Sequence, residues 1–223
     1  MPEAQAEAPA RMRPVQATKL RESIYDALRD AFTAGTFAPG ETLSLRDLAA
    51  ELGTSPTPVR EAVRRLVAEG ALVDTPSRTL MVPPFDARRM ADLKAARLAL
   101  EPLVLAQAAE RMTAADVGAL GTLLGGLARA EGQGPDLRGN YAFHFAIYRH
   151  AGSEVLTPLI EALWVQYGAF LNRVVREAEA IAMDEHAHHH EIVAALGAGD
   201  VAAAQRALAA DIERSFAVVG ARA

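Results

Sequence analysis

The stretch Ser55-Pro56-Thr57-Pro58-Val59-Arg60-Glu61-Ala62-Val63-Arg64-Arg65-Leu66 decides how the first third of this 223-residue chain is read. Val59, Val63 and Leu66 recur at helical spacing, and proline stands in the first turn, where a helix tolerates it. Thr57, Arg60 and Arg64 fall on the opposite, solvent-facing side. Residues 54–68 carry three arginines against one glutamate. The whole chain has 23 Lys and Arg against 28 Asp and Glu, a net charge of −5. An all-over basic field is therefore excluded, and any contact with nucleic acid has to be a local patch. A charged face on an amphipathic helix is often merely solvated, so the neighbours of this helix decide its meaning.

Upstream, Leu20, Ile24, Ala27, Leu28, Ala31 and Phe32 repeat at three and four and predict a helix from Thr18, ended by Gly35. Ser44 caps a short helix, with Asp47 as capping-box partner and Leu45, Leu48, Ala49 and Leu52 as its apolar face; Gly53 stops it. The helix of the quoted stretch starts at Ser55 or Thr57 and runs to about Glu69. Ala71-Leu72-Val73 and Leu80-Met81-Val82 read as strands around a turn over 74–79. Three helices and a hairpin make a winged helix-turn-helix. In that unit the second helix of the pair presents its N-terminal residues to base edges in the major groove. Its first-turn amides and dipole favour a phosphate.

Residues 1–17, rich in Ala, Glu and Pro, predict a disordered tail. Pro83-Pro84 forbids continuation of helix or sheet and marks a domain boundary, giving a DNA-binding domain over 18–83 and a second domain over 84–223. Beyond it the pattern is helical over about 87–111, 114–129, 137–150, 154–180, 184–197 and 201–218, with no strand pattern. The expected fold is mostly α, a winged helix-turn-helix followed by an all-α bundle. Cysteine is absent, no run of apolar residues is long enough for a membrane span, and the N-terminus lacks the apolar core of a secretory signal. A cytoplasmic location is expected.

Gly35-Thr36-Phe37-Ala38-Pro39-Gly40-Glu41-Thr42-Leu43, Leu48-Ala49-Ala50-Glu51-Leu52-Gly53, Thr57-Pro58-Val59-Arg60-Glu61-Ala62-Val63-Arg64-Arg65-Leu66 and Glu69-Gly70 together resemble the N-terminal domain of GntR-family transcription regulators. The resemblance covers about residues 18–83. It implies DNA contacts by Arg46 on the phosphate side and by Ser55, Thr57 and Arg60, with Arg64 on the same exposed face. Pro56 stands where the family usually has arginine, and Thr79 where it has a wing-tip glycine. Loss of that arginine removes a bidentate guanine contact and implies a different operator preference. Arg78 could reach the minor groove from the wing. One small winged module rarely supplies enough affinity, so a homodimer on a pseudo-palindromic operator is expected.

The second domain carries a polar constellation. Asn140 and His144 are four apart and share a helix face whose apolar stripe is Tyr141, Phe145 and Tyr148. His189 lies in register with Ile192, Val193 and Leu196, and Asp211 with Leu208 and Ile212. Three helices thus each turn a polar group inward, and buried polar groups need partners that a shared ligand would supply. Arg97-x-x-x-Glu101 resembles the opening motif of the FadR-like branch of the family, although Ala95 stands where an acidic residue is usual. That branch's ligand pattern is Asp and His four apart, then a His, then another His 22 residues later. Here the positions read Asn140, His144, His189 and Asp211. Two imidazoles and one carboxylate suffice for a divalent ion such as zinc, and the oxygen-richer set admits manganese or nickel. The open alternatives are a hydrogen-bonded polar cluster and an organic ligand without metal.

Of the run His186, His188, His189 and His190, only His189 is placed by both face and spacing. His186 is the reserve ligand, able to clamp an ion with His190 four residues on, while His188 and His190 read as exposed. His150 reads as a surface or capping residue. The resemblance makes Arg97 a contact for a small carboxylate effector; Arg173 is a further candidate cation, and a salt bridge of Arg97 with Glu101 is the plainer alternative. The expected function is a ligand-responsive DNA-binding regulator. Its rivals are a regulator in which the ion itself is the signal and a metal-dependent hydrolase, for which no HExxH or nucleophile motif is present.

Overall fold

The structure is a computed structural model that describes residues 17–75, 79–127, 136–175 and 186–220. The expected tail therefore lies outside the described residues except for Ala17, which opens the first helix, and so does Arg78. The N-terminal unit consists of α1 (Ala17–Thr33), β1 (Thr42–Leu43), α2 (Leu45–Glu51), α3 (Pro56–Ala68), β2 (Val73–Asp74) and β3 (Leu80–Met81). Among the described residues six helices follow: α4 (Ala87–Ala109), α5 (Ala114–Gly126), α6 (Leu137–Tyr148), α7 (Leu156–Val175), α8 (Ala187–Gly197) and α9 (Val201–Gly220). A single 3-10 turn, Arg149–Ala151, shortens the helix expected to reach residue 150. The protein is mostly helical, with a winged helix-turn-helix ahead of a helical bundle.

The expected hairpin gains a third strand. β3 is central, pairing antiparallel with β2 (Val73↔Met81, Asp74↔Leu80) and with β1 (Thr42↔Met81, Leu43↔Leu80). Two residues are too few to show a period of two, so β1 was invisible to pattern reading. The caps follow the sequence more closely. Ser44 Oγ accepts from the amides of Arg46 and Asp47, which is half of the expected box, since Asp47 makes no return bond to the Ser44 amide; Asp86 Oδ1 accepts from the amide of Arg89 at 2.7 Å, and Thr113 forms a reciprocal box with Asp116.

Two apolar cores form, and they do not divide at Pro83-Pro84. The larger gathers residues of α4 to α9. The smaller holds Ile24, Phe32, Val59, Val63, Leu66 and Val82 of the N-terminal unit, together with Val165 and Ala169 from α7. α7 therefore serves both cores. Gly168 makes this possible: a Cβ there would stand 2.3 Å from the carbonyl oxygen of Phe32 and 2.8 Å from Cα of Thr33. Arg89 adds a polar clamp, its Nη2 donating to the Gly70 carbonyl at 2.6 Å and to Gln166 Oε1 at 2.7 Å. The turn after α3 is thus tied to both α4 and α7.

Candidate functional site

The N-terminal unit presents α3 as the sequence suggests. Val59, Ala62, Val63 and Leu66 are buried, whereas Ser55, Thr57, Arg60 and Arg64 are exposed, as is Arg46 on α2. Arg64 pairs with Glu61 at 2.9 Å, both ends well exposed, a contact too solvated to hold the arginine in place. Arg65 leaves this face: it lies over the Tyr25 ring at 3.5 Å and pairs with Glu69.

One expectation needs correction. Ser55 is the N-cap and Pro56 the first helical residue, so Pro56 and Pro58 both fall in the opening turn. Neither has an N–H, and of the four amides normally left open at a helix start only those of Ser55 and Thr57 exist here. The backbone grip on a phosphate is halved. The Ser55 hydroxyl makes no capping hydrogen bond.

The bundle interior brings His144 of α6, His189 of α8 and Asp211 of α9 together. All three are buried, at 0%, 1% and 5% exposure, and their ligand-type atoms lie within 4.8 Å of one another. His144 Nε2 is 3.2 Å and His189 Nε2 3.7 Å from Asp211 Oδ2. Neither Nε2 has a hydrogen-bond partner among the described residues: His144 lacks the alignment and His189 stands too far off. Asn140 is half-buried, one turn before His144. Asp211 also meets a residue that pattern reading missed: its Oδ1 accepts from Arg214 Nη2 at 2.7 Å, leaving Oδ2 toward the imidazoles.

The histidine run keeps His189 buried, as its spacing suggests, but His188 is half-buried rather than exposed and His186 faces His189, not His190. His186, at the start of α8, places Nδ1 3.1 Å from His189 Nδ1, which occupies that side of the His189 ring. His188 pairs with Glu191 at 2.9 Å, His190 is exposed, and His150 sits half-buried in the 3-10 turn. The side chain of Arg173 lies outside the described residues.

Arg97 is buried and committed to Glu101, its Nε donating to Oε1 and its Nη2 to Oε2 at 3.3 Å; Nη1 has no partner among the described residues. It stacks on Trp164 with Cζ 4.1 Å from the ring centroid. Glu101, 0% exposed, also accepts from Tyr148 Oη at 2.6 Å and from Trp164 Nε1 at 3.1 Å. Tyr148 Oη lies 3.2 Å from His144 Nδ1. A continuous polar chain thus runs from Arg97 through Glu101 and Tyr148 to His144, whose Nε2 faces Asp211. The i,i+4 spacing of Arg97 and Glu101 was visible in sequence; the arrival of Tyr148 and Trp164 from other helices was not.

This electrostatic setting suits a cation. Burial pushes the His189 imidazole down from 6.5 to about 4, so it is neutral with a lone pair to offer. Two ligands bound at roughly 2.0–2.1 Å to a tetrahedral ion stand roughly 3.3 Å apart. The observed 3.2 and 3.7 Å need little adjustment. The donor set fits zinc, manganese or nickel and leaves a coordination position for water or a carboxylate.

The depressed His189 also makes a prediction about stability. In metal-free protein the unfolded chain takes up a proton at this histidine near pH 6.5, whereas the folded chain does so only near 4. Its contribution is complete above 6.5 and is lost as the pH falls to about 4. The loss amounts to about 3 kcal/mol at 1.4 kcal/mol per pH unit. Urea titrations with chelator should show this slope in the parent and its absence in His189→Gln.

Comparison with known proteins places these features. The model described as "Bacterial regulatory proteins, gntR family" matches residues 20–81, and the FCD domain model matches residues 92–214. The chain is 32% identical over 200 residues to the HTH-type transcriptional regulator McbR of Escherichia coli (strain K12), covering 88% of this chain and 90% of that protein. It is 29% identical to the HTH-type transcriptional repressor GlaR of the same organism, covering 81% and 86%. The solved structure of E. coli McbR/YncC superposes with a TM-score of 0.82 at 31% identity, covering 91% of this chain and 98% of that one. These relatives are named as regulators, which sets the hydrolase reading aside. The chain belongs to the GntR family of bacterial DNA-binding transcription regulators, in the FadR-like branch whose C-terminal half is a helical FCD domain.

Proposed function

We propose that this regulator is a cytoplasmic homodimer that binds a pseudo-palindromic operator through residues 18–83. Its state is set by a small organic acid, a divalent metal or both, held within residues 84–223. The observation that carries this reading is the buried convergence of His144, His189 and Asp211, with two Nε2 atoms facing one carboxylate oxygen and bonded to nothing among the described residues. A metal there would be held by those three residues, with Asn140 at the edge, and would supply a positive centre for an effector carboxylate. Nη1 of Arg97, without a partner among the described residues, would offer that carboxylate a second cationic contact. An effector acts only by binding the DNA-competent and incompetent states unequally. Repression by occupying the operator is the simplest output, and the relative GlaR is named a repressor.

Two experiments test the reading. Purified protein should carry close to one equivalent of zinc, manganese or nickel by elemental analysis, removable by chelator. Thermal shifts with small carboxylates should depend on that metal. His144→Ala should abolish metal uptake and leave effector-free DNA binding intact; equal metal in parent and variant would refute the site. On the DNA side, Arg60 sits on the exposed face of α3, opposite Val59, Val63 and Leu66. Arg60→Ala should weaken operator binding by about 1–3 kcal/mol and relax base preference, with folding unchanged. Matching gel-shift titrations for parent and variant would remove Arg60 from the interface.

A further inference from the structure

The polar chain behind His144 contains more order than an ion-pair network needs. Glu101 is surrounded by donors: Arg97 Nε and Nη2, Trp164 Nε1 and Tyr148 Oη. A carboxylate so placed acts as acceptor only. Tyr148 has a single proton, and the 2.6 Å contact to Glu101 Oε2 claims it, because two bare oxygens would repel at that distance. The Tyr148 oxygen can then face His144 Nδ1, 3.2 Å away, only as an acceptor. His144 must therefore carry its proton on Nδ1 and leave Nε2 bare. That bare nitrogen faces the Asp211 carboxylate at 3.2 Å without hydrogen-bond alignment.

We propose that Glu101 and Tyr148 are positioning residues that fix His144 as the Nδ1–H tautomer and so present a bare Nε2 to Asp211 and His189. An isolated His–Asp pair would prefer the opposite tautomer, with Nε2–H donating to the carboxylate. Such a proton would fill the space between the donors. The chain from Glu101 removes it, and a lone pair beside a carboxylate is relieved by a cation. Arg97 and Trp164 keep the Glu101 carboxylate in place from the far side. The importance of the bare Nε2 for metal rests on the metal reading above; the tautomer itself does not. In metal centres, such outer partners orient ligating histidines and typically change affinity by about 10–100-fold.

The test is nuclear magnetic resonance of the full-length, 15N-histidine-labelled protein in excess chelator, read through two-bond 15N–1H correlations of the His144 ring. The parent should show the Nδ1–H pattern. Tyr148→Phe, which keeps the ring, should switch His144 to the Nε2–H pattern and weaken zinc binding about 10–100-fold in competition titrations. Glu101→Gln, whose amide can donate to Tyr148 and release the tyrosine proton toward His144, should produce the same switch. If either variant fails to fold, the parent spectrum alone decides: an Nε2–H ring in the metal-free parent overturns the proposal. An Nδ1–H parent that takes up no metal supports the tautomer lock and overturns the metal reading. A Tyr148→Phe protein that folds and keeps the Nδ1–H ring overturns the lock.

Discussion

Arg97→Met will destabilise the folded protein by about 3–5 kcal/mol, a large share of the total for a chain of this size. The reason is the partner left behind. Arg97 and Glu101 are exposed by 2% and 0%. Without the guanidinium, Glu101 keeps its bonds from Tyr148 and Trp164 but loses its counter-charge in a site water does not reach. Breaking a buried pair on one side is far costlier than replacing both ends, so Arg97→Met with Glu101→Leu should recover much of the loss. Urea unfolding followed by circular dichroism measures both variants. A single variant within 1 kcal/mol of the parent would show that the pair is not sealed from solvent. The double variant also separates stability from ligand binding, since a lost effector response in Arg97→Met alone would mix the two.

Gly168→Val should be as severe for a different reason. The added Cβ would meet backbone, the Phe32 carbonyl oxygen at 2.3 Å and carbonyl carbon at 2.7 Å, and no rotamer change relieves a backbone collision. α1 and α7 must part, and Val165 and Ala169 lose their seats in the N-terminal core. We expect a loss of about 3 kcal/mol or more, above the usual range for overpacking. Calorimetry should split the parent's transition, with the N-terminal unit melting first and operator affinity falling with it. A variant that melts as one unit at the parent's temperature would contradict the close approach.

Much of this was legible in the sequence, for identifiable reasons. The inward faces of His144, His189 and Asp211 follow from apolar neighbours at three and four, a signal each helix carries by itself. Helix limits followed glycine, proline and capping residues, as at Ser44. What stayed hidden depends on more than one element. Glu101 read as an ordinary neighbour of Arg97, and nothing local showed that Tyr148 and Trp164 would reach it. Nothing local to Gly168 shows that it is a point of contact between backbones. Pro83-Pro84 marks a joint in the chain but not in the packing, because α7, apolar on more than one side, joins a core built some eighty residues earlier.

That shared helix also bears on how the protein is made. The ribosome delivers Phe32 long before Val165, Gly168 and Ala169, the residues that cover it. At about 5–20 residues per second the interval is on the order of ten seconds. During that time the N-terminal unit exists as a nascent chain with one wall of its core open to water and to chaperones. The N-terminal core is therefore completed only late in synthesis, by the same helix that brings Trp164 against His144, and before His189 and Asp211 have been made.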